Sequence, residues 1–569
     1  MKLSSQSFIT PECPIDLLEH QVQHVENILK ILVKDRVFSY IDTSGTGAGK
    51  TFTTLYVAWY LQKKLGMKVM LVAPSDTSLN NDDGWCKLAE EFDIDIAIKT
   101  TYPQIRVSKE FLIAESTEKK KDKDWHATEE FEKLCKQGLF IIFDEFHKAT
   151  RKSQTHFACA ALVRAAKRHR ESCRTALLSH TPGDKDEHYP SILRMTGLVT
   201  NLKLYKHIPF TRKYEYQEYG FGELAKVCTR VSNSQIARQR IEEAMTRISA
   251  ARANIICKEL YSNYLKNEIT FAMKVPTTNV KSEMYNAFLE TDEKSLQILE
   301  EGIAMLGNAV NWNGNDVGEQ RDWSLGAITE ALKTIERGKL ASIVCYVRQQ
   351  IKINPDKKFV ICCGARDITN HAFLTKVLHK ECCPDNYFDI LQELRQTNPN
   401  WKKLPKDMMN LIRSYLKFKI PPTVLNGQTK KADRVKIIRE FQADNDNSWC
   451  LVMTPGVGGE GLSLHDKHGN RPRELLIISD WFATRITQSC GRVSRVGQRS
   501  DSKVLIVYSK QAGTETRILD CMLRKTRIAK DLLAEGQKVV FPGEFPFWIQ
   551  GKRDEELENR LNELRQQAL

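Results

Sequence analysis

Short apolar runs rich in β-branched and aromatic residues recur along the first third of the chain: RVFSYID at 36–42, KVMLVAP at 68–74, LFIIFDEF at 139–146 and TALLSHT at 175–181. Longer amphipathic stretches separate them, and this alternation predicts buried parallel strands joined by crossover helices. A second series follows in KKFVICCG at 357–364, PPTVLNG at 421–427, WCLVMTP at 449–455, ELLIISD at 474–480 and KVLIVYS at 503–509. Each series has strands enough for its own sheet, so the expected fold is α/β with two tandem lobes.

Charged patterns of helical period fill residues 206–345 and predict a helical insert and connector, while 364–420 reads as a second, mostly helical insertion. Leu557, Leu561 and Leu564 have helical spacing in the final stretch. The expected division is therefore a first lobe over 1–205, the insert and connector over 206–345, a second lobe over 346–535 and a tail helix over 536–569.

Lysine and arginine number 85 against 71 aspartates and glutamates, a surplus of +14 in 569 residues that favours a polyanionic partner such as nucleic acid. The run TEKKKDKD at 117–124 reads as a solvated surface loop. The 15 cysteines are scattered, and the adjacent pairs Cys362-Cys363 and Cys382-Cys383 lack the spacing of a zinc knuckle. Reduced thiols in an intracellular protein are expected. No apolar run reaches the roughly 18 residues of a membrane span, and the polar start MKLSSQSF does not read as a signal peptide.

The run RVFSYID leads into TSGTGAGKT and then the helix-like FTTLYVAWYLQKKL, the strand, glycine-rich turn and helix order of a phosphate cradle. Ser44, Gly45, Thr46, Gly47, Ala48 and Gly49 would wrap an anion with backbone N–H groups, Lys50 would reach the β- and γ-phosphates of ATP, and Thr51 would bind magnesium. Ser44 stands where the strict pattern has its first glycine. The strand LFIIFDEFH ends in a second requirement of the chemistry: Asp144 to hold magnesium and Glu145 to orient the attacking water. Far downstream, TQSCGRVSRVGQR places Arg492 and Arg495 one helical turn apart behind Gln488, and such permanently charged forks suit a transferring γ-phosphate.

Together these residues resemble the superfamily-2 helicase fold and, within it, the SWI/SNF-type double-stranded DNA translocases. LLEHQVQHVENIL is similar to that family's opening element, SGTGAGKT to motif I, VMLVAPSDTSLNNDDGW to motif Ia, DEFHKATRKSQTHF to motif II and LLSHTP to motif III. VLNGQTKKADRVKIIREFQ, VMTPGVGGEGLSLHD and SDWFATRITQSCGRVSRVGQRSDSKVLIVY resemble the later elements in order, so the likeness spans about 15–530. It implies two RecA-like lobes and a nucleic-acid-dependent ATPase that uses ATP and magnesium. It also implies Gln21 as the adenine-reading glutamine, Arg492 and Arg495 as arginine fingers, and Gln488 near the γ-phosphate or water. Gly458, Gly459 and Gly461 would shape a loop linking nucleotide to track, and Ser75, Thr181 and Thr454 would touch the phosphate backbone. The sequence departs from the family wording in DTSGTGAGKT and in Phe146, where a small residue is usual.

The first expectation is a compact motor that moves along double-stranded DNA, housed in a DNA-containing compartment such as a nucleus, a virion or an infected cell. A strand-separating DNA or RNA helicase shares every motif and stays open beside it. A non-catalytic nucleic-acid scaffold is the third reading, and it requires a decayed ATP site, whereas Lys50, Asp144, Glu145 and both arginines are present.

Overall fold

In the computed structural model the described residues are 7–80, 84–116, 123–198 except 152, 205–208, 213–216, 257–274, 280–310 except 290 and 292, 325–364, 420–454, 462–478, 483–509 except 496, and 527–534, with the single positions 254, 413, 414, 417, 525, 543 and 544. Nearly half of the expected helical insert, and most of the insertion at 364–420 and of the tail, lie outside them. The chain divides into two compact units, Met1–Thr277 with Arg524–Val539, and Thr278–Leu523 with Val540–Leu569. Among the described residues no helix is long and apolar enough to cross a membrane.

The first unit contains the strands β1 (Ser39–Asp42), β2 (Lys68–Ala73), β3 (Ile96–Thr101), β4 (Leu112–Ser116), β5 (Lys123–Ala127), β6 (Leu139–Asp144), β7 (Arg174–Leu178), β8 (Tyr205–Ile208), β9 (Lys213–Tyr216) and β10 (Thr270–Phe271). Six of them form one sheet in the order β10-β1-β7-β6-β2-β3, with every neighbouring pair parallel. The pairs β4-β5 and β8-β9 are separate antiparallel hairpins. The four apolar runs of the sequence are β1, β2, β6 and β7, and their burial explains their composition: helices cover both faces, so both side-chain sets need to be apolar. Leu139, Ile141 and Phe143 of β6 join one core, and Phe140 and Ile142 join the other.

On the second of these faces lie α1 (Glu19–Leu29) and α2 (Lys50–Leu65), through Val25, Ile28, Leu55 and Trp59. The short α3 (Asp76–Asn80) and α4 (Trp85–Glu91) follow β2, and α5 (Tyr102–Ile105) follows β3. The first face is covered by α6 (Glu129–Gln137), which Thr128 caps by accepting from the Phe131 N–H, and by the alanine-rich α7 (Gln154–Arg168), capped by Ser153. Each large apolar side chain withdrawn from water in this way contributes about 1.5–3 kcal/mol.

A segment from the far end of the chain completes the first core. Leu532 is fully buried in it, the Tyr261 hydroxyl donates to the Leu532 carbonyl at 3.0 Å, and Lys258 Nζ lies 3.4 Å from Asp531 Oδ2. This segment falls inside the stretch read from sequence as the second lobe.

The second unit carries β11 (Ser282–Leu289), β12 (Lys358–Cys362), β13 (Thr423–Leu425), β14 (Cys450–Met453), β15 (Arg473–Ile478), β16 (Ser502–Ser509) and β17 (Gly543–Glu544). Their order is β13-β14-β12-β15-β16-β11-β17, again parallel throughout. The expected runs from KKFVICCG to KVLIVYS supply β12 to β16. The stretch read as connector, 206–345, gives β10 to the first sheet and β11 to the second. Within the expected tail helix only Gly543 and Glu544 are described, and they form β17. Both sheets therefore have the parallel, doubly covered architecture of RecA-like lobes.

Candidate nucleotide site

The chemistry expected of the front half gathers at the carboxyl edge of the first sheet. Asp42, the last residue of β1, pairs in register with Leu178 of β7, and Leu178 pairs with Asp144, the last residue of β6. The loop that leaves β1 and the acidic residue that ends β6 thus start at one level, two strand spacings apart, roughly 9–10 Å.

The loop from Thr43 to Gly49 is held from several sides. Asp42 is fully buried, its Oδ1 accepts the Ser44 N–H at 2.8 Å, and its Oδ2 lies 3.0 Å from His24 Nε2 on α1. Burial alone would raise the Asp42 carboxyl, but His24, Lys50 and the Ser44 hydrogen bond outweigh it and hold the pKa below the ordinary value. Thr43 N–H donates to the Phe271 carbonyl at 2.8 Å, and Thr43 Oγ1 accepts the Ala534 N–H at 3.1 Å. Ser44 has a structural reason to replace glycine: its Oγ accepts the Met273 N–H at 2.8 Å and ties the loop to the segment after β10.

Gly47 and Gly49 adopt left-handed backbone, with φ of 80° and 96°, which lets the chain curl into the start of α2. A Cβ on Gly49 would lie 2.2 Å from Gln21 Nε2, so the glutamine amide packs directly over this glycine, whose positive φ already disfavours a side chain. Gln21 Oε1 accepts the Leu18 N–H at 2.9 Å, and its Nε2 is 3.4 Å from the Ala48 carbonyl. The amide expected to read adenine is thus oriented against the loop. Lys50 Nζ donates to the carbonyls of Ser44 and Gly45 at 2.7 and 3.1 Å, and no atom lies within 4 Å of where a Gly45 Cβ would stand. The cradle has open space, a flexible cation and a helix N-terminus, which suit a triphosphate.

Asp144 and Glu145 follow the buried strand β6 as expected. The Trp85 indole N–H donates to Asp144 Oδ2 at 2.9 Å, and the Tyr102 hydroxyl donates to the Asp144 carbonyl at 2.9 Å. Burial and the Glu145 carboxylate push Asp144 up to about 6, against the opposing pull of Trp85 and Lys50. Thr51 and Asp144 offer a hydroxyl and a carboxylate, the hard oxygen donors that magnesium takes, so the donor set suits that ion. Glu145 is held at φ 50°, an uncommon conformation for a residue with a Cβ. Its Oε2 lies 3.2 Å from His147 Nδ1, which is itself 3.1 Å from Ser179 Oγ. Ser179 N–H donates to the Asp42 carbonyl at 3.0 Å, so a chain of contacts links the acidic pair to the root of the phosphate loop. Phe146 is fully buried in the first core, which accounts for the bulky residue at that position. Burial and Lys50 lower His180 to about 4, so it is neutral near pH 7.

Ser75 exchanges hydrogen bonds with Ser78, each backbone N–H donating to the other's hydroxyl at 3.3 Å, and so caps α3. Thr181 is 5% exposed. Thr454 follows β14 and donates its N–H to the Leu425 carbonyl at 3.3 Å.

Gln488, Arg492, Arg495 and Thr454 all belong to the second unit. The helix Ala483–Val493 contains Gln488 and Arg492 but stops before Arg495. The two arginines therefore do not share a helix face, contrary to the spacing argument. Arg492 is nearly buried and its Nη1 donates to the Leu462 carbonyl at 3.3 Å, while Arg495 Nη1 donates to Ser463 Oγ at 2.7 Å. Gly458, Gly459 and Gly461 lie outside the described residues.

Sequence reasoning missed His24, Asp42, Trp85 and the His147–Ser179 contact. His24 stood three residues after Gln21 on the same helix face, and Asp42 was a charge closing an apolar strand; both were visible signals.

A parallel sheet with a phosphate loop after β1 and an acidic pair after β6 defines a nucleoside triphosphatase of the phosphate-loop class. Residues 14–175 match the family model described as the res subunit of type III restriction enzymes. The chain is 22% identical over 537 residues to an inferred ATP-dependent RNA helicase of Acanthamoeba polyphaga mimivirus, covering 92% of this chain and 85% of that protein. It is 25% identical over 194 residues to the ATP-dependent helicase brm of Drosophila melanogaster, which is 30% of this chain and 12% of that protein. With the transcription regulatory protein SNF2 of Saccharomyces cerevisiae it shares 24% identity over 131 residues, 23% of this chain and 7% of that protein. These likenesses support a superfamily-2 ATPase of the SWI/SNF type. The chain is accordingly a nucleic-acid-dependent ATPase, a helicase-like motor driven by ATP.

Proposed function

We propose that the protein translocates along double-stranded DNA. The contact chain Glu145–His147–Ser179–Asp42, which ties the acid beside the expected γ-phosphate position to the loop beneath it, supports the ATP hydrolysis that would drive such movement. The likeness to SWI/SNF-type proteins favours a duplex track.

In this reading the loop N–H groups and Lys50 bind the phosphates, with the ammonium leaving the Ser44 and Gly45 carbonyls to do so. Thr51 and Asp144 hold magnesium, which supplies charge neutralisation of the phosphate oxygens when bound. Glu145 orients and deprotonates the attacking water, His147 fixes the Glu145 carboxylate, and Gln21 selects adenine. Arg492 and Arg495 stabilise charge on the transferring group, with Gln488 beside them. Ser75, Thr181 and Thr454 contribute backbone contacts to the track, which carry no base recognition.

A second reading, strand separation, is favoured by the viral relative's name as an RNA helicase. Hydrolysis measured against double-stranded DNA, single-stranded DNA and RNA, beside third-strand displacement from a triplex and unwinding of a tailed duplex, separates the two. Translocation predicts stimulation by duplex DNA and third-strand displacement with the duplex intact. Unwinding, or stimulation by RNA alone, would replace it with the second reading.

A further inference from the structure

Asp144 is fixed at two points by aromatic donors that no part of the proposed chemistry uses. Tyr102, at the start of α5, holds its backbone carbonyl. Trp85, the first residue of α4, holds one carboxylate oxygen. Trp85 is 3% exposed and packs within the core that also contains Leu71, Ala73, Leu79 and Ala89. Packing alone would be served by any large apolar ring. A buried indole N–H needs an acceptor, and here the acceptor is the carboxylate that closes β6.

A carboxylate with one oxygen pinned cannot rotate freely about its last torsion. We propose that Trp85 is a positioning residue for Asp144: its N–H fixes Oδ2 so that the carboxylate presents a constant edge to magnesium. The inference rests on the reading of Asp144 as the residue that holds the ion. In its absence the carboxylate samples orientations that the ion must select among, and magnesium binds less tightly to the nucleotide complex. Binding of nucleotide without metal depends on the loop and Lys50 and is untouched.

The test uses the full chain and a fluorescent ADP analogue, titrated in EDTA and then at increasing magnesium. Trp85→Phe is expected to keep the EDTA affinity within about twofold and to raise the magnesium midpoint about tenfold, the scale of one hydrogen bond to a charged group. In steady-state hydrolysis its kcat falls at fixed magnesium and recovers at high magnesium, with KM for ATP little changed. Should Trp85→Phe fold poorly, benzothienylalanine at position 85 replaces the N–H by sulfur in the same ring shape and gives the same readout. Asp144→Asn serves as the reference. If Asp144→Asn raises the magnesium midpoint while both Trp85 replacements leave it at the wild-type value, Trp85 only fills space and the inference falls. If Asp144→Asn leaves the midpoint unchanged, the assignment of Asp144 itself falls.

Discussion

His24 Nε2 and Asp42 Oδ2 stand 3.0 Å apart with both side chains shut away from solvent. The pair joins α1 to the end of β1, and the other Asp42 oxygen takes the Ser44 N–H, so one carboxylate anchors both a helix and the entry to the phosphate loop. Removing one partner of a buried pair leaves the other unpaired, at a cost of about 3–5 kcal/mol. Asp42→Ala should lose stability on that scale in urea denaturation. The native Asp42 pKa is depressed from 3.8, so its contribution is whole above that value and disappears as pH falls through the lower native one. Acid unfolding should accordingly begin at higher pH in Asp42→Asn than in wild type.

Lys50→Ala and Glu145→Gln should both cripple turnover, but at different steps. The first removes the cation that meets the phosphates and should weaken nucleotide binding itself. The second keeps a neutral amide of the same shape and should bind ATP normally while hydrolysis drops about 10²–10⁴-fold. Nucleotide binding by equilibrium titration, beside phosphate release, checks the split.

Ser44→Gly restores the usual glycine of the loop. It also removes the acceptor of the Met273 N–H, and an unsatisfied buried donor costs about 1–3 kcal/mol. The expected outcome is a lower urea midpoint with ATP binding retained, which would mark Ser44 as a brace and not a phosphate ligand.

Lys358 is fully buried, with Nζ donating to the carbonyls of Phe441 and Ala443 at 2.9 and 2.7 Å. Burial and the nearby Arg473, Arg471 and Lys417 lower it from 10.5 to about 7. Between those values the unfolded chain binds more protons than the folded one, so stability rises with pH across the window and the penalty is fully present below it. The rise is on the order of 1.4 kcal/mol per pH unit. Urea midpoints of wild type should climb relative to those of Lys358→Met from pH 7 to pH 10.

The fold was legible where strands are buried on both faces, because β1, β2, β6 and β7 and their counterparts β12, β14, β15 and β16 need continuous apolar runs. β3 escaped because exposed Ala97 and Lys99 alternate with its buried residues, so it offers no continuous apolar run. β11 escaped because Glu283 and Asn286 break its run, and Asn286 is buried all the same. The phosphate loop was legible because its chemistry lies within eight consecutive residues, 44–51. The contacts Trp85–Asp144 and Ser44–Met273 join segments 59 and 229 residues apart, and no local pattern encodes such meetings. Nor does an apolar cluster such as Ile528, Leu532 and Leu533 state which of two cores it will enter.

Leu532, lodged among the residues of the opening half, makes the polypeptide interlaced and not a pair of beads on a string. Cutting the gene after codon 277 would yield a fragment with a hole in its interior and with Thr43 stripped of the Ala534 amide. A soluble stand-alone nucleotide-binding piece would have to carry residues 524–539 grafted onto its end.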